Sequence, residues 1–204
     1  MEIQEQLSVM KRLKEETRPM HDAIEKNPHL ERVTSETIQM DEYHKIIEAF
    51  WGYYAPLEPL LFENATEQWL GEFNVPQREK LSLLKADLLS MGKHTEASIA
   101  AIPVCTNLPE TNSSAKKLGI LYVLEGSTLG GSVITRHLKS KLGDAVANCT
   151  QFYFPYGEMT GPNWKNFAML VERSCTPNEH DEIVESAKQT FQSLDNWMTE
   201  FHSL

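Results

Sequence analysis

Residues 116–138 read KKLGILYVLEGSTLGGSVITRHL, an apolar run of helical composition interrupted by Gly126, Gly130 and Gly131. Each glycine inside a helix costs roughly 1 kcal/mol relative to alanine, so three so close together are a weak point unless something uses them. A missing Cβ lets the helix bend and lets another backbone or a flat ligand come close. Gly126 and Gly130, four residues apart, share one face. Two uses stay open at this point: close packing of helices through small residues, and approach of a ligand. A membrane span is not expected, because Glu125, Arg136 and the Lys116–Lys117 pair bracket too short an apolar run.

The remaining sequence reads as helix almost throughout. A first helix is expected from about Gln4 to Asn27, stopped by Asn27-Pro28. A second begins near Ser35, with Tyr43, Ile46, Ile47, Phe50, Trp51, Tyr54 and Leu57 at core spacing and Pro56 and Pro59 to bend or end it. Another covers about Gln77 to Ile99, and 102–114 is a loop. The glycine-interrupted helix runs to about Leu142, and an aromatic, irregular stretch spans 143–162. A short helix covers Asn163 to Arg173. A long one, Asn178 to Phe201, places Ile183, Ala187, Phe191, Leu194, Met198 and Phe201 on one face. With no linker or repeat, residues 1–204 are expected to form a single all-α domain.

The first helix carries an ordered second face. At 100° per residue Lys14, Arg18, His21 and Glu25 fall within about 60° of one another, roughly 90° from the stripe of Leu13, Thr17, Met20 and Ile24. Two cations, an imidazole and a carboxylate on one wall suit a haem. The imidazole can ligate iron, Glu25 can act on its other nitrogen directly or through water, and the cations can meet the acidic groups. A solvated His/Glu surface pair has the same spacing.

Charge and cysteine content narrow the classes. A formal net charge of −10 with scattered basic residues argues against nucleic acid. The N-terminal residues MEIQEQLSVMKRLKEE hold no apolar signal core, so cytosol is the expected location. Three cysteines without CxxC spacing suit neither a disulfide framework nor a zinc site. His44, His94, His180 and His202 have polar neighbours and read as surface. A di-iron carboxylate site wants Glu-x-x-His pairs, and the chain has none, only Asp41-x-x-His44.

LKEETRPMHDAIE (Leu13–Glu25) and YVLEGSTLGG (Tyr122–Gly131) together resemble the proximal and distal helices of the haem oxygenase family. The second is closest in wording to bacterial members, including those that supply bilin to phytochromes. The resemblance implies an all-α haem-oxygenase-like fold with haem, at once substrate and cofactor, between the first helix and a glycine-kinked distal helix. It implies His21 as iron ligand, Glu25 as its partner, and Lys14 and Arg18 as propionate cations. Gly126, Gly130 and Gly131 would be the distal glycines, and Gly126, Ser127 and Gly130 the residues around the reacting centre. Implied too are cleavage to biliverdin with release of CO and ferrous iron, and an electron donor such as a ferredoxin, flavodoxin or reductase. A bilin-accepting phytochrome is a further implied partner. Arg12, Lys14 and Arg18 would make a basic docking patch. Ser127 stands where many members carry an aspartate that organises proton-delivering water; a hydroxyl holds water but carries no charge at neutral pH. That departure keeps a non-cleaving haem carrier or sensor open. Lys165 and Arg173 are the candidates for further propionate cations.

Overall fold

The computed structural model describes residues 8–63 and 65–203, which hold α-helices, 3₁₀ turns and no strand. The all-α expectation holds, while several boundaries move. α1 (Val9–Glu16) is capped by the Ser8 hydroxyl, which accepts the Lys11 N–H at 3.2 Å. The expected continuous first helix breaks at Thr17, and its expected start, Gln4 to Leu7, lies outside the described residues. Thr17 returns both its hydroxyl and its amide to the Leu13 carbonyl, at 2.7 and 3.0 Å. Pro19 has no N–H to continue the ladder, so α2 (Arg18–Ile24) starts afresh with proline in its first turn. Asn27 then caps the short α3 (Pro28–Glu31), as the Asn-Pro stop requires.

α4 (Met40–Phe62) begins five residues later than Ser35, where Gln39 and Glu42 form a capping box. Pro56 and Pro59 sit inside it rather than ending it. Pro56 frees the Gly52 carbonyl, which instead accepts the Cys105 N–H at 2.9 Å. A Cβ on Gly52 would lie 2.4 Å from the Pro103 carbonyl oxygen, so the 103–105 strap closes on α4 only because that residue is glycine. The helix expected over 77–99 divides into the short α6 (Val75–Arg78), α7 (Leu81–Ser90) and the short α8 (Glu96–Ile99), preceded by the one-turn α5 (Leu70–Phe73).

The glycine-interrupted segment forms α9 (Ser114–Gly126), a 3₁₀ turn (Ser127–Gly130) and α10 (Gly131–Leu142). With the following turn it makes a helical stretch, Ser114–Val146, long and apolar enough to cross a bilayer by length and composition, contrary to the sequence expectation. Its environment is that of a core helix, since 56% of its most apolar window is buried within the protein. The 143–162 stretch is irregular with two 3₁₀ turns, followed by α11 (Thr160–Ser174) and α12 (His180–Phe201).

α9 and α12 form the most extensive helix pair. Gly119 allows it, because a Cβ there would lie 2.3 Å from the Ile183 carbonyl oxygen. The predicted α12 stripe, Ile183, Ala187, Phe191, Leu194, Met198 and Phe201, is buried throughout, and so is the α4 set except the half-buried Trp51. α12 also packs on α1, α2 and α4 and thereby positions the segment that carries His21.

Candidate functional site

The break at Thr17 divides the predicted wall. Lys14 lies in the last turn of α1, Arg18 and His21 belong to α2, and Glu25 is its C-cap residue. All four are exposed. The segment is tethered from beneath. Arg12 pairs with Glu16 and with Asp181 of α12, both at 2.8 Å, and Asn27 Nδ2 donates to Asp195 Oδ1 at 2.7 Å. Arg12 is therefore committed to α12 and is withdrawn from the expected basic patch. Lys14 and Arg18 remain in it.

His21 is held by packing rather than by hydrogen bonds. Its ring meets Phe191 edge-on, with centroids 5.9 Å apart and planes at 76°. Nδ1 lies 3.7 Å from Glu25 Oε2 and 3.8 Å from Asp22 Oδ1, close enough for electrostatic support and too far for a hydrogen bond. The side chain stays 53% exposed. An imidazole oriented by an aromatic edge and flanked by two carboxylates is a donor still free to take a metal. Phe191 thus serves the core and the site at once.

The three distal glycines separate into two kinds. At Gly130 a Cβ would meet nothing within 4 Å, and at Gly126 only the Trp164 ring edge at 3.6 Å. Gly131 is different: a Cβ there would lie 1.6 Å from the Tyr153 carbonyl oxygen. Its missing side chain is therefore used by packing against the 150s segment. Exposed Leu129 (47%) and Val133 (61%) add apolar surface beside Gly130. Ser127 is exposed, but its hydroxyl proton goes to the Leu124 carbonyl at 2.8 Å. Its oxygen remains an acceptor.

Beneath this turn lies a buried ionic cluster that sequence reasoning missed. Glu125, the residue before Gly126, is 3% exposed and accepts from Arg78, from Lys80 Nζ at 3.1 Å and from the Tyr156 hydroxyl at 2.8 Å. Arg78 also donates to the Phe73 and Asn163 carbonyls, at 2.8 and 3.2 Å, which ties α6 to the start of α11. Glu58 of α4 accepts the Lys80 and Leu81 amides at 2.6 and 3.2 Å. Burial pushes the Glu58 carboxyl up and the Lys80 ammonium down, with the two amides and Glu125 opposing each shift. One signal was legible: a glutamate in the middle of LYVLEG, within an otherwise apolar helix.

On α11, Arg173 pairs with Glu72, while Lys165 is exposed. Cys105 and Cys149 are buried and Cys175 is half-buried, and burial raises all three thiols, the reverse of an activated nucleophile. His44 and His180 are buried at 8% exposure, against the expectation that they lie on the surface, and His94 and His202 are half-buried.

The donor set fits a haem: one free, oriented imidazole, two exposed cations beside it, and a turn whose Gly130 leaves its face open. The chain matches the family model described as "Heme oxygenase" over residues 7–200. A protein named "Heme oxygenase" from Xanthomonas campestris pv. campestris is 31% identical over 115 residues, 55% of this chain. The match spans 64% of that relative's length, just under two thirds. Among solved structures, haem oxygenase from Neisseria meningitidis, studied with NO and CO bound, aligns with a TM-score of 0.77 at 19% identity, covering 97% of this chain and 94% of that one. Haem oxygenase from Leptospira interrogans gives 0.75 at 19%, covering 95% and 100%. At such identities these likenesses establish the fold.

Proposed function

Because the chain belongs to the haem oxygenase family, we propose that it binds haem between α2 and the α9–α10 turn and cleaves it to biliverdin, releasing CO and ferrous iron. Residues 1–204 act as one haem-oxygenase-like domain, a reading supported by the single continuous hydrophobic core. The observation that carries the proposal is His21, an exposed imidazole fixed by Phe191 with no hydrogen bond to either ring nitrogen among the described residues.

Bound haem supplies a redox-active iron and the macrocycle that is opened. His21 would hold the haem iron, and Glu25, with Asp22 beside it, would strengthen the imidazole electrostatically. Lys14 and Arg18 would meet the propionates, and Lys165 is the remaining candidate cation on α11. Gly126 and Gly130 would admit the ring to the backbone, and the exposed Leu129 and Val133 would cover its apolar surface. Ser127 accepts a hydrogen bond from water at the open side of the turn. The Glu125 cluster keeps that turn in place from below. Electrons come from a ferredoxin, flavodoxin or reductase docking near Lys14 and Arg18, in the cytosol, and a phytochrome is a candidate bilin acceptor.

Haemin, reductant and air added to the purified protein should replace the Soret band with a bilin band; a Soret band unchanged through repeated reduction in air would overturn cleavage. One observation favours a second reading. The Ser127 hydroxyl already donates to Leu124, so it offers no proton to a ligand, as a non-cleaving haem carrier would tolerate.

A further inference from the structure

Three side chains outside the haem-facing wall converge between α4 and the turn joining α7 to α8. His44 and Glu48 stand one turn apart on α4, and His94 reaches across from the turn. Nε2 of His94 lies 2.8 Å from Glu48 Oε1, and Nδ1 of His44 lies 3.6 Å from Glu48 Oε2. One donor atom from each residue falls within 4.8 Å of the others. The imidazoles stack with centroids 4.9 Å apart and planes at 17°. All three side chains are largely desolvated, at 10%, 21% and 11% exposure for His44, Glu48 and His94.

The polar contacts around this trio leave room for a cation. The Ser98 oxygen lies 3.1 Å from the Thr95 carbonyl and 3.0 Å from His94 Nδ1, and its one proton goes to either. In the tautomer with the proton on Nδ1, the Nε2 lone pair faces the Glu48 carboxylate and favours a cation between them. The His44 imidazole makes no hydrogen bond among the described residues. Its Nδ1 is beyond hydrogen-bonding distance of Glu48, and its Nε2 is buried with no partner. An imidazole 92% buried with neither nitrogen bonded is costly, and a ligand on Nδ1, the nitrogen that faces Glu48, relieves one of the two. Lys93, the residue before His94, pairs with Asp41.

We propose that His44, Glu48 and His94 bind a divalent transition-metal ion, with zinc best matched to the donor set, and that this ion staples the 91–99 turn to α4. Two imidazoles and a carboxylate are a recognised zinc set that leaves one position for water. Tetrahedral ligands at about 2.1 Å from zinc are roughly 3.4 Å apart, near the His44–Glu48 separation, while the 2.8 Å His94–Glu48 contact has to open to that spacing. Ser98 orients His94 from its far nitrogen, as outer-sphere partners of zinc histidines do.

The test is equilibrium dialysis of the chelator-treated, haem-free full chain against zinc chloride, with metal content read by mass spectrometry and melting followed in parallel. One zinc per chain and a raised melting temperature are expected for the wild type and for His21→Ala. A loss of affinity of about 10-fold or more is expected for His94→Ala and for Glu48→Gln. The cobalt(II) form should show tetrahedral d–d absorption that His94→Ala removes, a readout independent of stability. Zinc bound equally by wild type and His94→Ala, lost with His21→Ala, or not bound at micromolar concentration would overturn the site and leave a His94–Glu48 hydrogen bond.

Discussion

Asp87 is completely buried on α7, where its two oxygens accept the Gln151 and Phe152 amides at 3.0 and 2.9 Å. It anchors the irregular segment that the distal turn rests on. Burial pushes its carboxyl up to about 6 against the pull of those amides. A carboxyl raised in the fold favours the folded state when protonated. That contribution is complete below the ordinary carboxylate range, about 4, and is lost as pH rises through about 6. Asp87→Asn removes the titration and offers an amide N–H where one backbone N–H expects an acceptor, at a cost of about 1–3 kcal/mol. Urea unfolding of both proteins from pH 4.5 to 7.5 should show the variant's deficit narrowing as pH rises; a deficit independent of pH would contradict the assignment. None of this was legible in KADLLS, because the partners of Asp87 lie 64 and 65 residues further along the chain. His44 was misread for a related reason: its neighbours in sequence are polar, while its burial comes from His94 across the fold.

Among the elements, the segment from α9 to α10 combines the two uses of glycine that the sequence left open. Gly119 and Gly131 are required by packing, and Gly126 and Gly130 leave space. The substitutions should therefore diverge. Gly131→Ala forces the Tyr153 backbone aside and should cost 3 kcal/mol or more, at or beyond the upper end of the roughly 1–3 kcal/mol typical of overpacking. Gly130→Ala should leave stability unchanged or raise it by up to about 1 kcal/mol while weakening haem binding, because its Cβ enters the open face. Paired urea unfolding and haemin titration check both; equal destabilisation by the two would contradict the division. Period-3.6 patterning was enough to find the faces of α4 and α12, since apolar burial is what that periodicity records. It did not register the break between α1 and α2, because Pro19 acts by withholding one amide and leaves the apolar spacing intact.

For the whole molecule, the ionic cluster of Arg78, Lys80 and Glu125 joins α6, the entry to α7 and the end of α9 at the base of the distal turn. Replacing one member strands buried charge, so Glu125→Gln should destabilise by about 3–5 kcal/mol, measured by urea unfolding. A loss under about 1 kcal/mol would mean that the cluster is solvated and leaves the turn unsupported. Glu125 reads in the sequence as a bracket on an apolar run, because its cationic partners are 45 and 47 residues away. The central claim, that His21 ligates haem iron on a fold that does not depend on it, is tested most directly by the absorption spectrum of haem-loaded wild type beside His21→Ala. The variant should keep its helical circular dichroism and lose the wild-type Soret position and iron ligation. A variant with the wild-type haem spectrum would contradict it.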